Sequence, residues 1–233
     1  MIPFGMIPFA EGIWVDIGPA RILGMRLTTT MTVLRLRDGS LLLHSPLALT
    51  AERRAAVEAL GPVAHLYAPS RYHDARIGEW AIAYPSARLH APAGLVKERR
   101  DLRIDRVLGS VPEPAFVGVL DEWRIEGFRL EETVLIYHPA RTLVVADLVH
   151  NVGRPQHWWT KFYARTMGFY DCVALSRMLR WAAFSDRAAA RRSIDELLTR
   201  SFDRLIVGHG EPLTAGGREA LARAFTWLPP TSR

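Results

Sequence analysis

A single cysteine, Cys172, is all the thiol chemistry the chain has. That excludes an internal disulfide framework and a cysteine-rich zinc site, and it fits a reducing cytoplasm. Lysine is nearly as scarce. Only Lys97 and Lys161 occur, so the net charge of +6 is carried by arginine. Those arginines are dispersed along the chain, and a nucleic-acid partner, which would want them gathered on one face, is not expected. No apolar run approaches the roughly 18 residues of a membrane-spanning helix. The opening MIPFGMIPFAEGIWV lacks a basic region and a small-residue cleavage site, so it does not read as a signal peptide. Its near-repeat, MIPFGMIPFA, reads as an extended arm or an alternative start. There is no low-complexity linker either. The expectation is one domain over residues 1–233, with 49% hydrophobic and 23% charged residues giving it an ordinary soluble composition.

What is present is a succession of short β-branched runs with helices between them. Gly12 to Ile17 reads as a strand ended by Gly18-Pro19, and Met25 to Leu36 as a Thr-rich strand. Asp38-Gly39 marks a turn, and Ser40 to His44 returns. Thr50 is placed to cap a helix through Leu60, and Ile77, Trp80, Ala81 and Tyr84 fall on one helical face. Thr133 to Tyr137 and Thr142 to Ala146 flank a His-Pro-Ala turn as a hairpin. Between residues 153 and 185 aromatic and basic residues mingle in what reads as helical pieces. Ser185 is then expected to cap the clearest helix, ahead of a strand at Arg204 to Val207 and a last helix from about Gly217.

Three of these strands end in side chains that can carry chemistry. Asp147 closes the run TLVVA, where a carboxylate needs a partner to be buried. His209 follows RLIV between Gly208 and Gly210. Ala64 to Ala68 runs into Pro69-Ser70-Arg71-Tyr72-His73-Asp74. Three strand tips bearing His and Asp point to one site assembled from distant parts of the chain.

With that order of elements, the chain resembles the metallo-β-lactamase superfamily. The resemblance is carried by ETVLIYHPARTLVVADLV and LIVGHGEPL. LLLHSPLALT, YAPSRYHDARIGEWAIAYPSARLHAP and TLVVADLVHN look more narrowly like an uncharacterised branch of that superfamily, a domain of unknown function. The resemblance implies an αββα sandwich, two mixed sheets packed face to face with helices outside and a metal site at one edge. It also implies a ligand motif H-x-H-x-D-H, which here falls on Ser70, Tyr72, Asp74 and Ala75, a further His, which falls on Phe128, and Asp147 and His209. Only Asp74, Asp147 and His209 keep a side chain able to hold metal, with His73, one residue out of register, as a substitute and Glu132 as a more distant one.

The expectation is therefore a divergent hydrolase with a reduced site for one transition metal (zinc, iron or manganese) or none, and an unidentified small substrate. A pair of metals is not expected, and a metal-free site is favoured because Ala75 and Phe128 remove nitrogen ligands. Asp74, Asp147 and His209 should share one pocket, with Asp74 or His73 as base and Arg71 and Tyr72 binding an anionic group of the substrate. Two carboxylates so close should leave one with a raised pKa or paired to an arginine such as Arg71. Each residue also has a plainer reading: Asp74 as a helix cap, and His44 and His150 as hydrogen-bonded structure near the same edge. His65, His90, His138 and His157 receive no functional role. Two other classes of function stay open: a non-catalytic binding or scaffold protein that has lost the metal, and a membrane-peripheral protein or homodimer using the Trp-rich 153–185 stretch, which is expected to border the cleft.

Overall fold

Strand residues alternate between two environments in the computed structural model, which describes residues 5–229. The first sheet has seven strands in sequence order: β1 (Ile7–Ala10), β2 (Ile13–Ile22), β3 (Met25–Arg35), β4 (Leu41–His44), β5 (Val63–Tyr67), β6 (Arg88–Ala91) and β7 (Arg106–Val107). The pairings are antiparallel up to β4 and parallel from there on. The second sheet is ordered β11 (Arg204–Ile206), β10 (Thr142–Val144), β9 (Thr133–Tyr137), β8 (Leu120–Arg124), with only β10 and β11 parallel.

Because successive side chains point to opposite faces, each strand serves two cores. Leu34, Leu42 and Tyr67 of the first sheet meet Leu135, Val144 and Ile206 of the second. Their neighbours Met31, Val33 and Leu43 point the other way. They bury Val57 of helix α1 (Ala51–Glu58), Ile77 and Trp80 of α2 (Ile77–Ala83) and Leu95 of α3 (Ala93–Glu98). On the second sheet Val134, Ile136, Leu143 and Leu205 pack against Ile194 and Leu197 of a later helix, Arg187–Leu198, and Leu221 of the last, Gly217–Ala224. The layers are helices, sheet, sheet, helices, as the sequence led one to expect.

Local rules account for most element ends. Thr50 accepts the Arg53 N–H and caps α1. Two readings need correction. The strand expected to stop at Gly18-Pro19 continues to Ile22, with Pro19 opposite Thr28. Pro19 is tolerated there because β1 pairs with β2 only as far as Val15, which leaves the rest of β2 an edge with no ladder bond to lose. The helix Arg187–Leu198 is capped by Asp186, whose carboxylate accepts the Ala189 N–H, whereas the Ser185 hydroxyl donates to the Gly127 carbonyl. A serine and an aspartate in succession are equally good caps by type, and tertiary contact decided between them. The second copy of the N-terminal near-repeat forms β1; residues 1–4 lie outside the described residues.

Residues 153–185 fold into α4 (Trp158–Met167) and α5 (Arg177–Ala182), which leaves the helix Arg187–Leu198 as α6 and Gly217–Ala224 as α7. α4 is tied to the β2–β3 turn, where Trp159 Nε1 donates to the Leu23 carbonyl (3.0 Å) and the Arg26 N–H to Thr160 Oγ1 (2.9 Å). Among the described residues no helix is long and apolar enough to cross a membrane.

Candidate metal centre

The parallel pairs β4/β5 and β10/β11 all point their carboxyl ends at the same edge of the sandwich. The chain leaves each of them carrying a polar residue. β4 runs into Ser45, β5 into the Ser70–His73 loop, β10 toward Asp147 and β11 toward His209. Crevices outside the carboxyl ends of parallel strands are where open α/β folds build sites.

There the ligand-capable atoms of His73, Asp147 and His209 lie within 4.8 Å of one another, all three residues buried. His73 Nε2 is 3.3 Å and His209 Nε2 3.6 Å from the same oxygen, Asp147 Oδ1. The other nitrogen of each ring is taken. His209 Nδ1 meets the Thr28 carbonyl at 2.9 Å, and His73 Nδ1 meets Ser45 Oγ at 2.6 Å. A carbonyl only accepts, so His209 carries a proton on Nδ1, and its Nε2 faces the carboxylate, which draws a proton or another cation to that nitrogen. Ser45 can hold His73 in the same tautomer. The remaining Asp147 oxygen, Oδ2, accepts the Ser70 hydroxyl at 3.1 Å.

A second carboxylate lies beneath. Glu132 is fully buried, and its two oxygens accept the backbone N–H groups of Ala146 (2.7 Å) and Asp147 (2.8 Å). Burial first, and the charge of Asp147 second, push the Glu132 carboxyl up to about 8. For Asp147 burial acts upward, but the charges and hydrogen bonds of His73 and His209 outweigh it and hold the group well below its ordinary value. Burial lowers His209, yet the hydrogen bond and charge of Asp147 win and its pKa is raised. The carboxylate sharing Asp147's repulsion is therefore Glu132, rather than Asp74 as expected.

Asp74 does not join the cluster. Its carboxylate is ion-paired with Arg99, just beyond α3, and it caps no helix through its side chain. Consecutive loop side chains diverge, so His73 facing inward sends Asp74 away. Ser70, in the place of the first motif histidine, reaches Asp147 instead. Tyr72 and Ala75 line the cleft with exposed side chains. Arg71 also lines it, but its guanidinium is ion-paired with Glu98. Phe128 is in the core beneath, 4.9 Å from the Phe184 ring.

The Gly-His-Gly spacing has a steric cause. Thr30 N–H donates to the Gly208 carbonyl (3.0 Å) and Gly210 N–H to Thr28 Oγ1 (3.1 Å), so this loop is latched onto β3. A Cβ on Gly208 would lie 2.5 Å from the Ala146 carbonyl oxygen and 2.8 Å from His73 Cε1. Gly210 has φ +105°, and a Cβ there would collide with the Asn151 carbonyl. Gly210→Ala is expected to destabilise the chain by about 3 kcal/mol or more, because neither the left-handed backbone nor the opposing carbonyl can yield. Urea unfolding measures this, and a cost under about 1 kcal/mol would contradict the latch geometry.

Two histidines given only structural readings stand out. His150 lines the cleft with its ring 5.6 Å from that of His209, and its buried Nδ1 has no partner. Burial and the neighbouring His209 hold it at about 4, hence neutral. His44 is buried with neither ring nitrogen bonded, contrary to the expectation of a hydrogen-bonded histidine. It stacks on Tyr67, which supplies no polar contact. Ser45 and Glu132 act through a ring nitrogen and backbone amides, contacts that no sequence spacing advertises. The one local hint is that Ser45 has φ +51°, uncommon for a residue other than glycine.

A second group, His65, His90 and Glu113, also has ligand-capable atoms close together. Its hydrogen bonds exclude metal. Arg106 Nε donates to His90 Nδ1 (2.8 Å), so the His90 proton sits on Nε2 and is spent on His65 Nδ1 (2.9 Å).

The main centre opens into a cleft of about 820 Å³ walled by side chains such as Met25, Leu27, Leu130 and Phe169. The architecture is shared with solved proteins. The metallo-β-lactamase from Pontibacter korlensis superposes with a TM-score of 0.65, covering 97% of this chain and 99% of its own at 12% identity. The chain has the metallo-β-lactamase fold. The metallo-β-lactamase from Hirschia baltica gives 0.61 over 95% and 96% at 16% identity. FIM-1 from Pseudomonas aeruginosa, solved in a mono-zinc form, gives 0.64 over 96% and 95% at 11%. At these identities the likeness is one of fold. No family model matches the sequence. No curated protein matches it either.

Proposed function

We propose that this metallo-β-lactamase-fold chain is a hydrolase using one metal ion held by His73, Asp147 and His209. Its substrate would be a small, largely apolar molecule bound in the cleft. One observation carries the reading. The Nε2 atoms of His73 and His209 both face one ionised Asp147 oxygen, at 3.3 and 3.6 Å, and that convergence needs a cation among them. A proton satisfies the demand in part. A metal satisfies it for both rings at once, and the Nδ1 contacts to Ser45 and Thr28 are the outer partners that metal-bound imidazoles ordinarily keep.

Two imidazoles and a carboxylate suit zinc, iron or manganese. Such an ion supplies Lewis acidity, polarising a substrate oxygen and easing the deprotonation of water. The protein's own groups divide the remaining work. Ser70 engages Asp147 Oδ2 and so turns Oδ1 to the histidines. Glu132 fixes the backbone that carries Asp147. His73 has both nitrogens engaged, so it serves as a ligand and not as the base. The unengaged imidazole on the cleft wall is His150, which, held neutral, would hydrogen-bond a substrate or water there. Arg129, on the same wall, would meet an anionic substituent.

Elemental analysis of protein purified without added metal tests the reading. About one transition-metal ion per chain is expected. It should be lost in His209→Ala and Asp147→Asn, while Ser45→Ala should weaken affinity by about 10–100-fold because His73 loses its orienting partner. Protein that stays metal-free after reconstitution would favour the scaffold alternative and end the hydrolase reading. Two ions per chain, both lost with His209, would refute the single-ion site.

A further inference from the structure

Among the described residues, Ile22, Leu23 and Met178 line the cleft with exposed side chains, and further exposed apolar side chains adjoin them. Trp158 is 73% and Trp181 80% exposed, the two exposed tryptophans among the described residues, and Phe162, Met178, Ile22 and Leu23 are exposed with them. They come from three separate elements, which the structure gathers. Leu23 is joined to α4 through Trp159, whose ring is stacked 5.7 Å from that of Phe162. α4 reaches α5 through Tyr163 and Met178. On α5, Met178 lines the cleft, and Trp181, outside the lining, is its neighbour one helical turn on. Apolar surface assembled from distant segments around an opening marks a contact site rather than scattered exposure.

Charge identifies the occupant. Residues 17–37, which include the β2–β3 turn, contain no carboxylate, and Arg21 and Arg26 flank its tip. Residues 151–185 hold five Lys or Arg (Arg154, Lys161, Arg165, Arg177, Arg180) against one acid, Asp171, which Arg154 already neutralises at 2.6 Å. Exposed tryptophans on segments with an excess of cations match the headgroup region of an anionic bilayer, where indole rings settle and basic residues are attracted.

We propose that this rim docks on an anionic lipid surface, so that the cleft opens against the membrane. Docking is independent of the metal. It makes a membrane-borne amphiphile the substrate class of the cleft, a clause that rests on the hydrolase reading. Flotation of the full chain with vesicles of phosphatidylcholine alone, or with about one-third phosphatidylglycerol, tests it. Partition onto the anionic vesicles should exceed that onto neutral ones roughly tenfold and fall with added salt. The double variant Trp158→Ser, Trp181→Ser should lose at least about ten-fold of the partition. Both residues are surface-exposed, so far-UV circular dichroism and metal content should stay unchanged. Absent or equal partition onto the two vesicle types, or an unaffected double variant, would overturn the proposal. So would light scattering that showed a wild-type dimer the variant lacks, since the rim would then be an interface between copies. Metal content measured on the same samples separates each of these failures from a failure of the hydrolase reading.

Discussion

Glu132→Ala should be among the most destabilising single substitutions in the chain, costing about 3–5 kcal/mol. Glu132 sits at the start of β9 with no solvent exposure, and it holds two successive amides beyond the end of β10. Those amides belong to Ala146 and Asp147, where β10 has stopped and no ladder partner replaces the carboxylate. Alanine leaves both N–H groups orphaned in a cavity too deep for bulk water. Glu132→Gln keeps one acceptor, so it should recover roughly half of the loss. Because Asp147 is positioned through that backbone, the alanine variant should also lose metal. Denaturant unfolding of both variants, with metal content measured on the folded fraction, checks it. Equal stability of the wild type and Glu132→Ala would show that the carboxylate is not what holds the strand end.

Acid should destabilise the protein well before carboxylates titrate in bulk. His44, His90 and His150 are held neutral at about 3, 2 and 4 respectively. Burial is the main cause for each, followed by the charges of His73 for His44, Arg106 for His90 and His209 for His150. Their folded pKa values lie below the ordinary 6.5, so each contributes stability that is present above 6.5 and is lost as pH falls toward the folded value. Glu132 runs the opposite way. Raised from 4.5 to about 8, it gains stability as pH falls through that range and offsets about one histidine. The net loss between pH 6.5 and about 5 is then roughly 3 kcal/mol, a large share of a typical stability. Unfolding midpoints across this range measure it. His44→Leu, which removes two unpartnered nitrogens, should flatten the acid limb visibly. A flat profile down to pH 5 would sink the assignment of these three as neutral in the folded state.

How much of this could be read without coordinates differs from residue to residue. Runs such as TVLIY and TLVVA announce strands by composition and length, and the order of strands and helices carried the family resemblance that implied the layering. Asp147 and His209 were legible because each directly ends such a run. The choice between His73 and Asp74 was not, since a single residue of loop rotation exchanges which one faces the pocket, and motif alignment favoured the wrong one. Ser45, and the role of Glu132, named only as a distant substitute ligand, were hidden for another reason: their partners lie 28 and 14 or 15 residues away and are reached through tertiary packing. Pro19 misled because a proline stops an interior strand but not an edge, and edges are decided by the neighbour's length.

The latch between the Gly-His-Gly loop and β3 sets an order on biosynthesis. His73, Asp147 and His209 are spread over most of the chain's length, and His209 is oriented by Thr28, 181 residues before it. A nascent chain that has delivered the whole first sheet and the strand before Asp147 still lacks a ligand, because β11 enters beside β10 only near the end of translation. The centre therefore cannot load on the ribosome in stages. On the single-ion reading proposed above, metal capture would be a property of the finished fold, and a truncated product would present a carboxylate and one imidazole with no means of closing around an ion.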